Sequence, residues 1–309
     1  MAVTLTTVLK NINEDLAQTV SQVAPSATPL YTAAGKTKSP NTYHETLTDT
    51  LAAPNKDNAR LEGGDAIVPT NAVVDRKGNW TQIFAKEVSV TGSVDAVNTA
   101  GKGEFSRQMA NVIKEIKTDI EASIVSNNAS VSGSTRKSAG LESIIKTNAV
   151  ENGGSATAGF SGGLYAAPTD GTPVVVTEGM LSTLAQNMYN NGAEIKDLYV
   201  SPSMKAKLSS ILSGNSTRWN NAKDKGAYSN VDFYTTDFGE FAIKPHRMVR
   251  NSVILAIDTD FLAWATLRGF KTEELGKTGD ARKVQLLTEG TLEVRNEIAH
   301  GKIAGIKTA

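Results

Sequence analysis

Apolar residues return every three or four positions from Phe105 to Asn127: Phe105, Met109, Val112, Ile113, Ile116, Ile120 and Ile124 fall on one stripe of a helix. The stretch "FSRQMANVIKEIKTDIEASIVSN" has no proline, no glycine and no aromatic residue after its first, so nothing in it breaks the helix. At about 1.5 Å per residue it spans roughly 35 Å, the width of a small domain. Lys117 and Glu121 have the spacing of an ion pair, whereas Glu115 and Asp119 repel at the same spacing. Packing of the stripe, more than local pairing, has to hold this helix.

Upstream the period changes. From Lys86 to Thr91 polar and apolar residues alternate, which puts Val88 and Val90 on one face of a strand and Glu87 and Ser89 on the other. With "AIVPTNAVV", the turn-like "DRKG" and "NWTQIFAKEVSVTG", this predicts a long hairpin from Ala66 to Thr91. Its second arm would reach roughly 45 Å at about 3.3 Å per residue, longer than most strands and hard for one domain to cover. Nearer the start, Ile12, Leu16, Val20 and Val23 predict a helix in "NINEDLAQTVSQV". Between them, Pro25, Pro29, Pro40 and Pro54 interrupt a Ser/Thr/Ala/Asn-rich segment, read as an arm without a core of its own.

Downstream, "NNASVSGSTRKSAG" and "ENGGSATAGFSGG" are turn-rich around the short apolar "LESIIKTNAV", and a domain boundary is expected near Gly159 to Thr172. A helix "EGMLSTLAQNMYNNG" stopped by Gly192, a strand "DLYVS" and a helix "SPSMKAKLSSILSG" opened by Ser201 and Pro202 follow. "VDFYTTD", "EFAIKPH", "SVILAID", "FLAWATL", "KVQLLTEG" and "TLEVRNEIAHGKIAGI" read as strands, with no repeat of fixed period. The order of elements is that of an α+β protein.

Composition narrows the function more than the fold. The 309 residues suffice for one elaborate domain or two ordinary ones. Lysine plus arginine equals aspartate plus glutamate, 32 against 32, so no net field draws the chain to nucleic acid or an anionic membrane. The absence of cysteine excludes disulfides, thiolate metal sites and cysteine nucleophiles. There is no basic-then-apolar leader and no run of roughly 18 apolar residues, so the chain reads as soluble and not secreted.

Reactive constellations are missing. His44, His246 and His300 have no ligand spacing and read as surface or interface residues. "GKGEFS" from Gly101 lacks the third glycine of a nucleotide loop and reads as a hinge before the long helix. The "DTD" of Asp258 to Asp260 has no EF-hand spacing and reads as a strand-end turn. Ser138 and Ser203 lie in no nucleophile elbow, and adjacent Glu273 and Glu274 make no dyad. "RWNNAKDKGAY" mixes basic and aromatic residues, but Asp224 dilutes it and it reads as a surface loop. The expectation is therefore no enzyme, no catalytic residue, no cofactor and no metal.

The layout of arm, long hairpin, long helix, mixed middle and closing strands resembles the major capsid proteins of tailed bacteriophages, the Hong Kong 97-type capsid fold family. Five stretches carry the likeness: "LTDTLAAPNKDNARLEGGDA", "GNWTQIFAKEVSVTG", "RQMANVIKEIKTDIEASIV", "TDFGEFAIKPHRMV" and "KTGDARKVQLLTEGTLEVRNEIAHGKIAGI". It extends from about Thr46 to the C-terminus. The resemblance implies an N-terminal arm (1–45), an extended loop with its strands (46–100) and a peripheral domain (101–170) with a spine helix over 104–127. It further implies an axial α/β domain (171–262) and a return to the peripheral domain (263–309).

By the same resemblance the chain self-assembles as hexamers and pentamers into an icosahedral head enclosing double-stranded DNA. The alternative is an encapsulin-like shell around protein cargo. The implied partners are further copies of itself, a portal, a decoration protein and packaged DNA touched without sequence readout, with no membrane. A start without a long helical scaffolding segment leaves two readings, scaffolding as a separate protein or a segment removed before this sequence begins, and Met1 favours the first. The location implied is the virion capsid, assembled in the cytoplasm of a bacterial host. Contacts between subunits are expected at Glu62, Arg76, Trp80, Phe84, Arg218 and Trp219. Some relatives join subunits through a lysine and an asparagine, and no such pair is matched to this sequence.

Overall fold

The computed structural model describes residues 27–63, 74–97, 103–194, 196–215, 233–276 and 279–309. The proline-interrupted segment is built into the fold. A short helix α1 (Pro29–Ala33) is followed by strands β1 (Gly35–Lys38) and β2 (Tyr43–Thr48). Pro29 opens α1, where its missing N–H leaves no broken bond. Leu30 is fully buried, and Ala34 joins it in the core. Leu30 thus anchors the segment to a core that other segments supply. The helix predicted around Ile12 to Val23 lies outside the described residues, as does "GK" at 101–102.

Of the predicted hairpin, residues 66–73 lie outside the described residues, and the rest differs from the pattern at its turn. "DRKG" is no turn; it opens β3 (Asp75–Trp80), which pairs antiparallel with β2, Tyr43 opposite Trp80 and Thr48 opposite Asp75. Gly78 is there for close packing: a Cβ on it would stand 2.5 Å from Cζ of Tyr43. Thr81 then breaks the run before β4 (Gln82–Thr91), its N–H donating to Thr42 O at 2.8 Å and its hydroxyl to Glu289 at 2.8 Å. In β4 the alternation holds, with Val88 and Val90 buried and Glu87 and Ser89 exposed.

After α2 (Gly92–Ala96) comes the long helix α3 (Glu104–Ile124). Val112, Ile116, Ile120 and Ile124 are buried, and Phe105 and Met109 pack partly against the same core. Ile113 is 38% exposed, because a residue next to Val112 is rotated about 100° around the helix, off the stripe.

The middle begins with α4 (Leu141–Ile144), wholly buried, and the short strands β5 (Ala149–Glu151), β6 (Phe160–Ser161), β7 (Leu164–Tyr165) and β8 (Val174–Val175). Helix α5 (Glu178–Asn190), strand β9 (Asp197–Val200) and helix α6 (Pro202–Asn215) follow. Gly192 stops α5 with φ of 75°, and Ser201 Oγ accepts the Met204 N–H at 3.3 Å at the start of α6. The last part is β10 (Phe233–Thr236), β11 (Gly239–Pro245), β12 (Val253–Ile257), β13 (Leu262–Glu274), β14 (Ala281–Val294), β15 (Gly301–Ala304) and β16 (Ile306–Lys307). Two of the predicted strands fuse into β14, because Gly290 between them makes room for the Trp264 indole, whose Nε1 would lie 2.6 Å from a Cβ there.

Two sheets organise the chain. The four-stranded sheet runs β1-β13-β14-β4, and the six-stranded sheet runs β10-β11-β9-β12-β15-β5. The stripe of α3 packs in one core with Phe84, Val88, Trp264 and Leu286 from the first sheet. The second core holds Leu181, Leu184 and Met188 of α5 and Met204 and Leu208 of α6 with Leu198, Ile254 and Ile303 of the six-stranded sheet. Strand β12 serves both: Val253, Leu255 and Ile257 enter the first core, Ile254 and Ala256 the second. Burial on both faces explains why "VILAI" is apolar without alternation.

Candidate assembly surfaces

Beyond β2 every residue from 49 to 63 is exposed. Leu51 is 97% and Leu61 85% exposed, with Leu47 at 65% just before them. Burying one such side chain is worth about 1.5–3 kcal/mol, and this chain leaves them in water. Isolated leucines in a polar run have no period, so the pattern reading did not find them; their signal was the apolar residues of "LTDTLAAPNKDNARLEGG" without a face to share.

The root of this loop is held by buried polar groups. Asn79, 4% exposed, donates through Nδ2 to Leu292 O (3.2 Å) and Ala139 O (3.3 Å) and accepts from Ala139 N–H (2.9 Å) and Ser130 Oγ (3.0 Å). Glu293 on β14 accepts from His44 Nε2 at 3.1 Å, from Arg295 Nε at 3.2 Å and from the Thr37 hydroxyl. The bond from His44 leads the causes that hold its carboxyl down to about 2. Nearby, Glu289 accepts from Thr81, Arg136 (2.6 Å) and Arg268 (2.7 Å). Burial pushes that carboxyl up, and the three hydrogen bonds together outweigh it, leaving it below the usual range.

Charged groups on α3 find partners across the fold. Lys86 Nζ lies 3.1 Å from Glu115 and 3.2 Å from Asp119, so the repulsion read from the sequence is relieved by a cation from β4. Glu121 is not on an exposed face paired with Lys117; it is fully buried, with His246. Two of the three histidines correct the surface reading: His246 is 3% exposed and His300 fully buried. His300 Nδ1 accepts the Asp258 N–H at 3.3 Å, and burial lowers the imidazole to about 4. Lys302 is buried as well, its Nζ donating to Glu142 O at 2.5 Å and to the Thr157 hydroxyl, and burial lowers it to about 8.

"DTD" forms the turn read from the sequence: Asp258 Oδ1 accepts the Asp260 N–H at 3.0 Å at the end of β12. Lys196 supplies its cation, 3.0 Å from Asp258 and 2.5 Å from Asp260. Among the described residues no three or more of His, Cys, Asp and Glu gather as a metal site.

Of the residues expected between subunits, Glu62 and Arg76 are exposed, and Arg76 lies 3.7 Å from Glu45. Trp80 is half-buried against Tyr43, ring centroids 5.0 Å apart. Phe84 is 6% exposed and lies 6.0 Å from the Trp264 ring, so its ring packs in the chain's own core. Arg218 and Trp219 lie outside the described residues. The free edge of β4 forms an open groove with α3, lined by Ile83, Ala85, Asp119 and Ala122.

Comparison with known proteins gives this geometry a context. The family model for the SU10 major capsid protein matches residues 2–307. The major capsid protein of Escherichia phage Phieco32 is 32% identical over 111 residues, 36% of this chain and 32% of that relative's length. Among solved structures, the capsid asymmetric unit of cyanophage A-1(L) superposes with a TM-score of 0.65 at 12% identity, covering 96% of this chain and 97% of that one. The holo-SrpI encapsulin complex of Synechococcus elongatus gives 0.61 at 11% identity, covering 100% and 98%. At such identities these two likenesses establish the fold.

Proposed function

The chain belongs to the SU10 major capsid protein family, and from that premise we propose that its copies pack as hexamers and pentamers into an icosahedral phage head around double-stranded DNA. The observation that carries this reading is the exposed stretch 49–63, with Leu51 and Leu61 left uncovered among the described residues. A second copy covers them by lying beneath the loop. Glu62, Arg76 and the outer face of Trp80 belong to that contact, and Arg218 and Trp219 are proposed as further contacts between subunits. The equal count of positive and negative residues, 32 each, favours close packing of many copies.

The work of such a protein is done by shape, without catalysis or cofactor. Helix α3 acts as the strut that sets the spacing of the tile, and residues 171–262 form the part that gathers at capsomer centres. Its partners are a separate scaffolding protein, a portal, a decoration protein and packaged DNA, and assembly takes place in the bacterial cytoplasm. A shell around protein cargo is favoured by the likeness to the encapsulin, and the family match favours the virion.

The test is expression of the full chain, alone and with a scaffolding protein, followed by size-exclusion chromatography and negative-stain electron microscopy. Shells, tubes or capsomer rings are the expected result. Monomers under every assembly condition would overturn the reading, and a specific co-purifying cargo protein would replace the virion with the cargo shell.

A further inference from the structure

A pocket of about 360 Å³ opens where three connections meet: the segment after α5, the turn after β12 and the turn between β14 and β15. That volume falls within the roughly 300–1,000 Å³ of ligand pockets. Ala193, Phe261, Ile298 and Ala299 give it an apolar lining, and Phe261 stays 41% exposed. Its charge is negative. Lys196 is shared by Asp258 at 3.0 Å and Asp260 at 2.5 Å, so one ammonium answers two carboxylates. Glu194 adds a third carboxylate, exposed and without a hydrogen bond or ion pair to another described residue. The last turn of α5 holds no basic residue, so the carbonyl ends of that 13-residue helix add to the same sign.

An apolar lining with a surplus of negative charge selects a partner that brings a cation beside a large apolar side chain. Within the exposed stretch 49–63 that pair occurs once, as Arg60 followed by Leu61. Leu51 stands between Thr50 and Ala52, and Lys56 between Asn55 and Asp57. Leu61 is 85% exposed, and Arg60 is exposed with no hydrogen bond or ion pair to another described residue. We propose that the pocket receives Arg60 and Leu61 of a neighbouring copy, Leu61 entering the apolar lining and Arg60 reaching Glu194 and the carboxylates around Lys196. This rests on the reading that 49–63 covers a second copy, and it adds where on that copy the stretch lands and by what chemistry.

Adjacent residues leave an extended backbone on opposite sides, so only one of the two enters the pocket directly. The leucine is that one, because the long stem of arginine lets its guanidinium fold back to the charged side while its methylenes cover apolar surface. Glu62, the opposing charge, lies in a turn with φ of 76° at Gly63 and does not extend the Arg60–Leu61 segment. The groove between β4 and α3 is a poorer receptor. Its one carboxylate, Asp119, is already held by Lys86 at 3.2 Å, and Gln82, Ser123, Ser126 and Asn128 make much of its lining polar.

Assembly of the full chain, read by light scattering, is the first measurement. Arg60→Glu and Glu194→Arg, both at exposed positions, should each raise the concentration needed about ten-fold, and the two changes in one chain should return it to within about three-fold of the wild type. The chain has no cysteine, so introduced ones report contacts directly. Shells co-assembled from Leu61→Cys chains and Ala193→Cys chains should yield, on mild oxidation, a disulfide-linked dimer of the two. Ile83→Cys, in the groove beside β4, should link to Leu61→Cys far less. Preferential linkage to Ile83→Cys would overturn the pocket, as would a link formed only within a chain that carries both Leu61→Cys and Ala193→Cys. Charge reversals without effect, or without mutual rescue, would overturn it too. If the wild type assembles while these tests fail, the assembly reading stands and the pocket falls; a wild type that never assembles overturns both.

Discussion

Glu121 and His246 meet at 2.7 Å where neither side chain is more than 2% exposed. The same carboxylate accepts the N–H groups of Leu30 at 2.8 Å and Tyr31 at 2.6 Å, in the first turn of α1. His246 Nδ1 accepts the Met248 N–H at 3.2 Å, which leaves the proton on Nε2, facing Glu121. One side chain in the last turn of α3 thus ties down the segment before β1 and the segment after β11.

Removing it strands two buried donors and one partly buried one. Glu121→Ala should cost about 3–5 kcal/mol in urea unfolding, with the largest loss of hydrogen-exchange protection at Leu30 and Tyr31. Glu121→Gln, which keeps one oxygen, should cost about half as much. A loss for Glu121→Ala no larger than that for Ala at exposed Glu115 would mean that the arm is not held there.

The stripe of α3 makes a second, sharper contrast. Ile116 is fully buried and Ile113 is 38% exposed, three residues apart on one helix. Ile116→Asp should abolish soluble folding, because an unpaired carboxylate is forced into the core, and Ile116→Ala should cost about 2–5 kcal/mol. Ile113→Asp should change the melting temperature little. Comparable losses at both positions would show that the helix faces the sheet differently.

What the sequence revealed depended on whether a residue's neighbours in space were also its neighbours in sequence. The period of α3, the alternation of β4 and the Gly192 stop are local, and each is found where the pattern puts it, save that α3 ends at Ile124 and turns Ile113 outward. Glu121 was assigned to Lys117 because only positions within one turn are visible in sequence, whereas His246 is 125 residues away. Gly78 and Gly290 were read as breaks because glycine usually is one, and both instead give room to an aromatic ring from another strand. The fold family was legible through whole stretches of wording. The side chains at the loop were not, since nothing in "NWTQIFAK" separates half-buried Trp80 from buried Phe84.

A buried ring and the exposed leucines of the loop should give different phenotypes. Phe84→Ala removes a ring packed near Trp264 and should cost the isolated subunit about 3–5 kcal/mol. Leu51→Ser with Leu61→Ser should leave the subunit's unfolding curve unchanged and raise the concentration needed for assembly, read by light scattering. If the serine pair assembled like the wild type, the loop would not be what binds the neighbour.

Gly305 tests a crossing of segments near the end of the chain. Its φ is 70°, and a Cβ there would stand 2.1 Å from Asn152 O and 2.4 Å from Ser155 Oγ. The contact with backbone cannot be relieved by a rotamer change, so Gly305→Ala should destabilise by more than the roughly 1 kcal/mol typical of a point mutation. A melting temperature within one degree or so of the wild type would show that the 152–155 turn yields easily.

Acid acts on the loop root through Glu293. Glu293 is lowered from 4.5 to about 2, so its bonds to His44, Thr37 and Arg295 contribute stability that is fully present above its unfolded range. That stability is lost as pH falls from about 4.5 toward about 2, where the folded carboxyl finally takes a proton. Protonation removes the negative partner from His44 and Arg295 together. Acid titration of the wild type should therefore expose β2 and β3 to hydrogen exchange in this window. Glu293→Gln, already without the charge, should begin with a looser ribbon and show a flatter acid limb; an acid limb as steep as the wild type's would assign it to other carboxylates.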